Sequence, residues 1–160
     1  MTLNSLLTRV TIADDDQIVR EGMTQILRAD PTVEVVGEAG NGREALLQAV
    51  QLRPDVVVID LSMPKLDGVS ATREILERVP GAAVLAISVY TDMDRAKDVI
   101  DAGAMGYVVK AGAARFLLPA VRAIANGQVF FSPGISGKIF KKLRGNSAQQ
   151  LAGSFASGIT

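Results

Sequence analysis

The feature that most constrains the fold is a strict alternation of short apolar runs with longer amphipathic segments. The runs are rich in Val and Ile and show little alternation of apolar with polar residues, which is typical of parallel strands covered by helices on both faces. Five strand–helix pairs predict an α/β fold, a doubly wound five-stranded parallel sheet with right-handed crossovers. The predicted strands are Arg9–Ala13, Val33–Ala39, Asp55–Ile59, Ala83–Ser88 and Gly106–Val109.

The segments between the strands carry apolar residues at helical spacing. Asn41 followed by Glu44 resembles a capping box and predicts the start of the second helix. The fifth helix has the strongest apolar stripe, whereas the fourth has a weak stripe flanked by charged residues. The two stripes consist of Leu117, Ala120, Val121 and Ile124 in the fifth helix and of Ala96, Val99 and Ile100 in the fourth.

The composition limits the chemistry that such a fold can perform. The 160 residues include neither Cys nor His, which excludes disulfides, Cys-based zinc sites and the commonest general base. Because 17 basic residues balance 17 acidic ones, no general attraction to nucleic acid or to an anionic membrane is expected. The remaining carboxylates, lysines and hydroxyls suit hard cations and phosphoryl groups. A basic leader and a membrane-length apolar run are both lacking, so we expect a cytoplasmic protein.

Residues that could bind a metal ion or a phosphoryl group stand at the predicted ends of four strands. The first strand runs into Asp14–Asp16 and the third into Asp60. The fourth ends in Ser88, and the fifth is followed by Lys110. In doubly wound folds the carboxyl ends of the strands meet at one edge, where ligands bind. Clustered carboxylates repel one another, and with only oxygen ligands at hand a Mg2+ ion would offset that repulsion.

Four segments resemble a known family. Receiver domains of two-component response regulators have an acidic segment similar to ADDDQIVREGM. Their phosphoacceptor segment is similar to DVVVIDLSMPKLDG, in which the pattern Asp-x-x-Met-Pro-x-x-Asp-Gly is intact. Their hydroxyl and lysine segments are similar to VLAISVY and GAMGYVVK. The four segments occur in the family's order over residues 8–127, and the resemblance implies the CheY-like form of the flavodoxin-like (βα)5 three-layer sandwich.

The resemblance implies a phosphoacceptor and a metal site. Asp60 would accept the phosphoryl group. Mg2+ would be bound directly by Asp15, mostly through water by Asp14, and also by Asp60 and the backbone carbonyl of Ser62. Asp16 is expected to cap the first helix instead.

The resemblance also implies phosphoryl-binding and switch residues. Lys110 would pair with the phosphoryl group, Ser88 would donate its hydroxyl, and Tyr107 would be the aromatic switch. The partners would be a sensor histidine kinase and, after phosphorylation, a second copy of the chain. Each residue also has an ordinary structural interpretation: Asp14 and Asp15 as solvated turn residues, Ser88 as a strand-end hydroxyl, Lys110 as a solvated loop residue and Tyr107 as a static, half-buried ring.

The sequence pattern changes after Gly127. We expect residues 1–128 to form the receiver domain, residues 129–144 a linker helix, and residues 145–160 a flexible tail or an interdomain linker. NarL/FixJ-type regulators end their receiver and begin their linker with a segment similar to AVRAIANGQVFFSPGISGKIFKKL. Those regulators continue into a helix-turn-helix domain, so the resemblance implies transcription control through a DNA-binding domain beyond these residues.

Three alternatives differ from this interpretation. A stand-alone receiver would act through protein contacts without DNA. A Mg2+-dependent phosphohydrolase that passes through an aspartyl-phosphate would need a second Asp two residues after Asp60, where the chain has Ser62. A flavodoxin-like electron carrier would need a phosphate loop rich in Ser and Thr after the first strand, and none is found there. We therefore expect a switch that catalyses only its own phosphoryl transfer and dephosphorylation.

Overall fold

Parallel strands form a single central sheet in the computed structural model, which describes residues 7–89, 93–133, 135 and 137. The first five strands agree within one residue with the predicted ones, and their order in the sheet is that of a doubly wound fold. The strands are β1 (Thr8–Ala13), β2 (Val33–Ala39), β3 (Val56–Asp60), β4 (Ala83–Ser88), β5 (Gly106–Val109) and β6 (Phe130–Phe131). Their order across the sheet is β2-β1-β3-β4-β5-β6.

The sixth strand departs from the predicted five-stranded sheet. Phe130 pairs with Gly106 and Phe131 with Tyr107, so β6 extends the sheet beyond β5. The chain reverses at Gly127, whose φ of 80° favours glycine, and then runs back along β5. Sequence analysis assigned these residues to a linker helix because two residues are too few to show a strand period. The rest of the predicted linker helix and tail lies almost wholly outside the described residues.

Helices cover the sheet on both faces and give the predicted three-layer sandwich. One face carries α1 and α5, and the other carries α2, α3 and α4. None of the helices in the described part of the chain is long and apolar enough to cross a membrane. The helices are α1 (Gln17–Arg28), α2 (Gly42–Leu52), α3 (Gly68–Arg78), α4 (Met93–Asp101) and α5 (Ala113–Ala125), and a 3-10 turn over Lys110–Gly112 precedes α5.

Alternate residues of each strand enter the two halves of the core. In β3, Val56 and Val58 pack towards α1 and α5, whereas Val57 and Ile59 pack towards α2, α3 and α4. All four side chains are at most 1% exposed, and burying each contributes about 1.5–3 kcal/mol. The predicted stripe of α5 is confirmed, since its four residues are buried in the first of these halves. This rigid core fixes the ends of β1, β3, β4 and β5 relative to one another.

Side-chain caps fix where the helices begin. Asp16 accepts hydrogen bonds from the backbone N–H groups of Ile18 and Val19 at the start of α1, as predicted. Asn41 accepts a bond from the Glu44 N–H, but the Glu44 carboxylate bonds the N–H of Gly40 rather than that of Asn41. Each such cap stabilises its helix by about 1 kcal/mol.

Candidate functional site

Two buried carboxylates and an ammonium meet at the carboxyl edge of the sheet. Asp14 directly follows β1 and is 0% exposed, and Asp60 is the last residue of β3 and is 3% exposed. Lys110 follows β5, and its Nζ lies 2.8 Å from Asp14 Oδ2 and 3.1 Å from Asp60 Oδ2. The predicted convergence of these strand ends is therefore confirmed for Asp14, Asp60 and Lys110, and none of the three is a solvated surface residue.

Asp15 completes an acidic cluster with Asp14 and Asp60. One carboxylate oxygen from each of the three residues lies within 4.8 Å of the other two. Asp15 is exposed, so its carboxylate faces the solvent side of the cluster, while the other two lie below it. This arrangement leaves one side of the group open to water.

The backbone around Asp14 is held rigidly. Its N–H donates to the carbonyl of Ala39, and its own carbonyl accepts a 2.6 Å bond from Arg20 Nη1. Asp14 Oδ1 accepts a bond from the Asp16 N–H. The other oxygen, Oδ2, is buried and accepts no well-aligned hydrogen bond within the described residues, although the Lys110 ammonium lies beside it. Arg20 was not predicted as part of the site, because nothing in the sequence directs its side chain to that carbonyl.

The donor set fits a hard divalent cation. Three carboxylates within reach of one another offer only oxygen ligands, which Mg2+ prefers, and the open side leaves room for the waters that Mg2+ retains. The buried Asp14 Oδ2, which lacks a well-aligned donor, would gain a partner from such an ion. The three residues can therefore hold Mg2+.

Burial and the neighbouring groups act in different directions on the pKa of the Asp60 carboxyl. Desolvation raises the pKa of its carboxyl, and the neighbouring charge of Asp14 raises it further. The Ser62 N–H, which donates to Asp60 Oδ1 at 3.2 Å, and the Lys110 ammonium act in the opposite direction but do not outweigh burial. An additional cation at this site would favour the ionised, nucleophilic form of Asp60.

Burial lowers the pKa of Lys110, but its bonds to Asp14 and Asp60 outweigh that effect and raise it overall. Lys110 therefore stays positively charged at neutral pH. It is a cation held between the Asp14 and Asp60 carboxylates.

A glycine lets the chain turn closely beneath Asp60. A Cβ at Gly68 would lie 2.5 Å from the carbonyl oxygen of Asp60 and 2.6 Å from the Cα of Leu61. Both distances are shorter than real Cβ atoms show, so only glycine allows this approach. The preceding Asp67 caps α3 by accepting bonds from the N–H groups of Val69 and Ser70, so the Asp67–Gly68 pair has a structural role.

Ser88 and Tyr107 are both buried, as Asp14 and Asp60 are. Ser88 ends β4, is 1% exposed and pairs in register with Val109, the residue before Lys110. Tyr107 is 0% exposed and packs in the core on the side of α2, α3 and α4. The interpretation of Tyr107 as a half-buried ring is therefore wrong, because β6 and Ile135 add cover on the side of β5 that five strands would leave open.

Arg95 of α4 reaches the loop that follows Asp60. Its Nη1 donates a 2.8 Å hydrogen bond to Ser62 Oγ. Sequence analysis did not identify the contact between Ser62 and Arg95. The two residues lie 33 positions apart, and a single charged residue in a charged helix gives no signal of this contact.

Comparison with known proteins agrees with this geometry. The family model of the response regulator receiver domain matches residues 10–122. The transcriptional regulatory protein LiaR of Bacillus subtilis is 36% identical over 138 residues, which cover 86% of this chain and 65% of LiaR. The DNA-binding transcriptional activator DevR/DosR of Mycobacterium tuberculosis is 36% identical over 144 residues, which cover 90% of this chain and 66% of that protein. The chain thus spans just under two thirds of the length of these relatives.

A solved structure extends the likeness to three dimensions. The crystal structure of a LuxR-family two-component response regulator from Aurantimonas sp. SI85-9A1 superimposes with a TM-score of 0.81 at 34% identity. The match covers 85% of this chain and 97% of that one. With the acidic cluster, the lysine and the doubly wound sheet in place, this chain belongs to the family of response regulator receiver domains.

Proposed function

We propose that this chain is a phosphoacceptor switch in which Asp60 takes a phosphoryl group from a sensor histidine kinase in a Mg2+-dependent reaction. The observation that carries this proposal is the placement of Asp60 at the end of β3. Its carboxylate lies 3.1 Å from the Lys110 ammonium and within 4.8 Å of oxygens from Asp14 and Asp15. A nucleophile, a fixed cation and a hard-cation site therefore share one partly open pocket.

The chain's own groups account for the steps of the transfer. An Asp60 carboxylate oxygen attacks phosphorus, forming a P–O bond as the P–N bond of a phosphohistidine breaks and the electron pair leaves with the imidazole. Lys110 pairs with the added negative charge, and the Ser88 hydroxyl donates to a phosphoryl oxygen. Tyr107 of β5, which packs in the same half of the core as Ala96 and Val99, would connect these changes to α4.

Asp14, Asp15, Asp60 and the backbone carbonyl of Ser62 would hold Mg2+ in this reaction. When bound, the ion supplies positive charge that offsets the repulsion between the carboxylates and the incoming phosphoryl oxygens. Asp14 directly follows β1 and Asp60 ends β3, so the two strands hold the backbone of both residues in place.

We further propose that the switch controls transcription. LiaR and DevR/DosR bear the names of a transcriptional regulatory protein and a DNA-binding transcriptional activator, and each is longer than the matched region. DNA binding would then reside in a domain outside these residues. Dimerisation after phosphorylation stays a prediction of the family resemblance. Membership of the receiver family supports a switch rather than the phosphohydrolase or electron-carrier alternatives.

Intact-mass measurement tests the phosphoacceptor assignment. Incubation with acetyl phosphate and Mg2+ should add the mass of one phosphoryl group, and addition of EDTA should prevent it. Asp60→Asn should take up no phosphoryl group, whereas Asp98→Asn, which removes an exposed carboxylate on α4, should react as the unmodified chain does. Phosphorylation of Asp60→Asn, or full modification in EDTA, would refute the proposal.

A further inference from the structure

The contact between Arg95 and Ser62 links α4 directly to the phosphoacceptor loop. Arg95 Nη1 donates to Ser62 Oγ at 2.8 Å, and the Ser62 N–H donates to Asp60 Oδ1 at 3.2 Å. Ser62 thus joins the guanidinium on one side to the carboxylate on the other.

The surroundings give the guanidinium room to leave this position. A cavity of about 610 Å3 opens between α3, α4 and the loop, and both Ser62 and Arg95 line it. Arg73 lines the same cavity from α3, and Asp98 lines it from α4. The Ser62 side chain is exposed, so water competes with Arg95 for its hydroxyl. The bond therefore orients the hydroxyl without locking it.

The chemistry of the two groups fixes the direction of the bond. A guanidinium can only donate, so the Ser62 oxygen must be the acceptor in this contact. The hydroxyl proton of Ser62 is then available for another acceptor, and bonding to a cation makes the oxygen a poorer acceptor for water. With Arg95 in place, the Ser62 hydroxyl is left with its proton to donate, and the Ser62 backbone N–H already donates to Asp60 Oδ1.

We infer that Arg95 is a positioning residue that prolongs the lifetime of phosphorylated Asp60 by holding the Ser62 hydroxyl as a donor towards the phosphoryl group. This inference rests on the proposed function. It assigns the control of phosphate lifetime to a contact between α4 and the loop after β3. The same contact makes the lifetime depend on the position of α4.

The direction of the effect follows from the hydrolysis step. A water oxygen attacks phosphorus, a new P–O bond forms, and the bond between phosphorus and the Asp60 oxygen breaks. Asp60 leaves as a carboxylate, inorganic phosphate is the product, and the water proton passes to solvent. A Ser62 hydroxyl released from Arg95 can turn and accept a bond from the attacking water, which orients that water for attack. Loss of Arg95 should therefore accelerate hydrolysis.

The test is a double-mutant cycle on the dephosphorylation rate. The unmodified chain, Arg95→Ala, Ser62→Ala and the double variant are phosphorylated with acetyl phosphate and desalted into saturating Mg2+. Loss of the phosphoryl group is then followed by intact mass. Arg95→Ala should raise the rate constant about threefold or more, the scale of one lost hydrogen bond. In the Ser62→Ala background the same change should alter the rate by less than about 1.5-fold.

Two further variants separate positioning from a general effect of charge or folding. Arg95→Lys retains a cationic donor and should keep the rate closer to that of the unmodified chain than Arg95→Ala does. Arg73→Ala removes a guanidinium from the same cavity and should leave the rate within about 1.5-fold. The Mg2+ affinity of Arg95→Ala should match that of the unmodified chain. If Arg95→Ala proves unfolded by circular dichroism, Arg95→Gln takes its place in the cycle.

Each outcome decides the matter. An equal acceleration by Arg95→Ala in both backgrounds would overturn the inference, as would an unchanged or slower rate in the single variant. Acceleration by Arg73→Ala as large as that by Arg95→Ala would also overturn it, because the effect would then be one of charge alone. If the unmodified chain itself took up no phosphoryl group, the proposed function would fail first. If Asp60 were phosphorylated but the dephosphorylation rates showed no coupling between Arg95 and Ser62, only the role of Arg95 would be refuted.

Discussion

The Lys110 ammonium lies 3.1 Å from the Asp60 carboxylate, and this ion pair joins the ends of β5 and β3. The same ammonium lies 2.8 Å from the buried Asp14. One lysine therefore balances two carboxylates that have almost no access to water. The ion pairs hold without a phosphoryl group, and they keep the Lys110 ammonium where it could pair with a phosphoryl group on Asp60.

Replacing Lys110 by Met should destabilise the chain most strongly when Mg2+ is absent. Two buried carboxylates would lose the ammonium that lies beside both of them, at a cost of about 1–3 kcal/mol in the free energy of unfolding. Saturating Mg2+ should recover part of this loss, because the ion would restore positive charge to the acidic cluster. Urea denaturation with and without Mg2+ measures both effects.

Lys97 offers a matched control for Lys110. It forms a 2.7 Å ion pair with Asp101 on the outer side of α4, where the pair is open to solvent. Lys97→Met should therefore change the unfolding free energy little, with no dependence on Mg2+. Equal losses in the two variants would contradict the view that Lys110 is held by buried partners.

Asp15→Ala should weaken Mg2+ binding far more than Asp16→Ala. Asp15 lies in the acidic cluster, whereas Asp16 uses its carboxylate to cap α1. Loss of a metal ligand should reduce affinity by at least about tenfold, and loss of a cap should cost about 1 kcal/mol of stability. Titration of Mg2+ into both variants, with a thermal melt of each, separates the two effects. A larger loss of affinity in Asp16→Ala would show that the ligands are assigned wrongly.

The site could be predicted from the sequence where it depends on strand ends. Asp14, Asp60 and Lys110 each follow an apolar run, and the doubly wound topology brings such positions together. The cap at Asp16 was predictable because capping depends on residues close in the chain. The burial of Tyr107 could not be predicted, because it depends on the sixth strand, whose two residues are too few to show an alternating sequence pattern. The contact of Arg95 with Ser62 depends on side-chain reach across two elements, which no local pattern encodes.

Gly68→Ala should destabilise the loop beneath Asp60. The added methyl group would meet the Asp60 carbonyl oxygen at 2.5 Å and the Leu61 Cα at 2.6 Å, and backbone atoms cannot yield as a flexible side chain can. Overpacking of this kind costs about 1–3 kcal/mol. Gly81→Ala is the control, since a Cβ at Gly81 meets nothing within 4 Å. Urea denaturation compares the two variants, and equal stabilities would show that the loop can move away from β3.

Binding of beryllofluoride, a phosphoryl mimic, should change amide hydrogen exchange in α4 and β5. The added anion gives Ser88 and Lys110 a charge-assisted partner, and Ser88 lies at the end of β4 next to β5. The helix α4 is well placed to respond, because among its residues 94–101 only Ala96 and Val99 lie fully in the core. Tyr107 packs in the same half of the core as Ala96 and Val99, so we expect a change at its ring to be felt by α4.

The extent of the population shift is limited by the free energy that the bound anion contributes to the active state. Moving a population from mostly inactive to mostly active requires about 5.5 kcal/mol of preference for the active state. One or two charge-assisted hydrogen bonds supply about 1.5–3 kcal/mol each, so the inactive state must lie only a few kcal/mol below the active one. Beryllofluoride should then change the rates of amide hydrogen exchange over residues 93–112 without protecting these amides completely. Asp60→Asn should show no response, and changes confined to Asp14–Asp16 and Asp60–Met63 would mean that α4 takes no part in the switch.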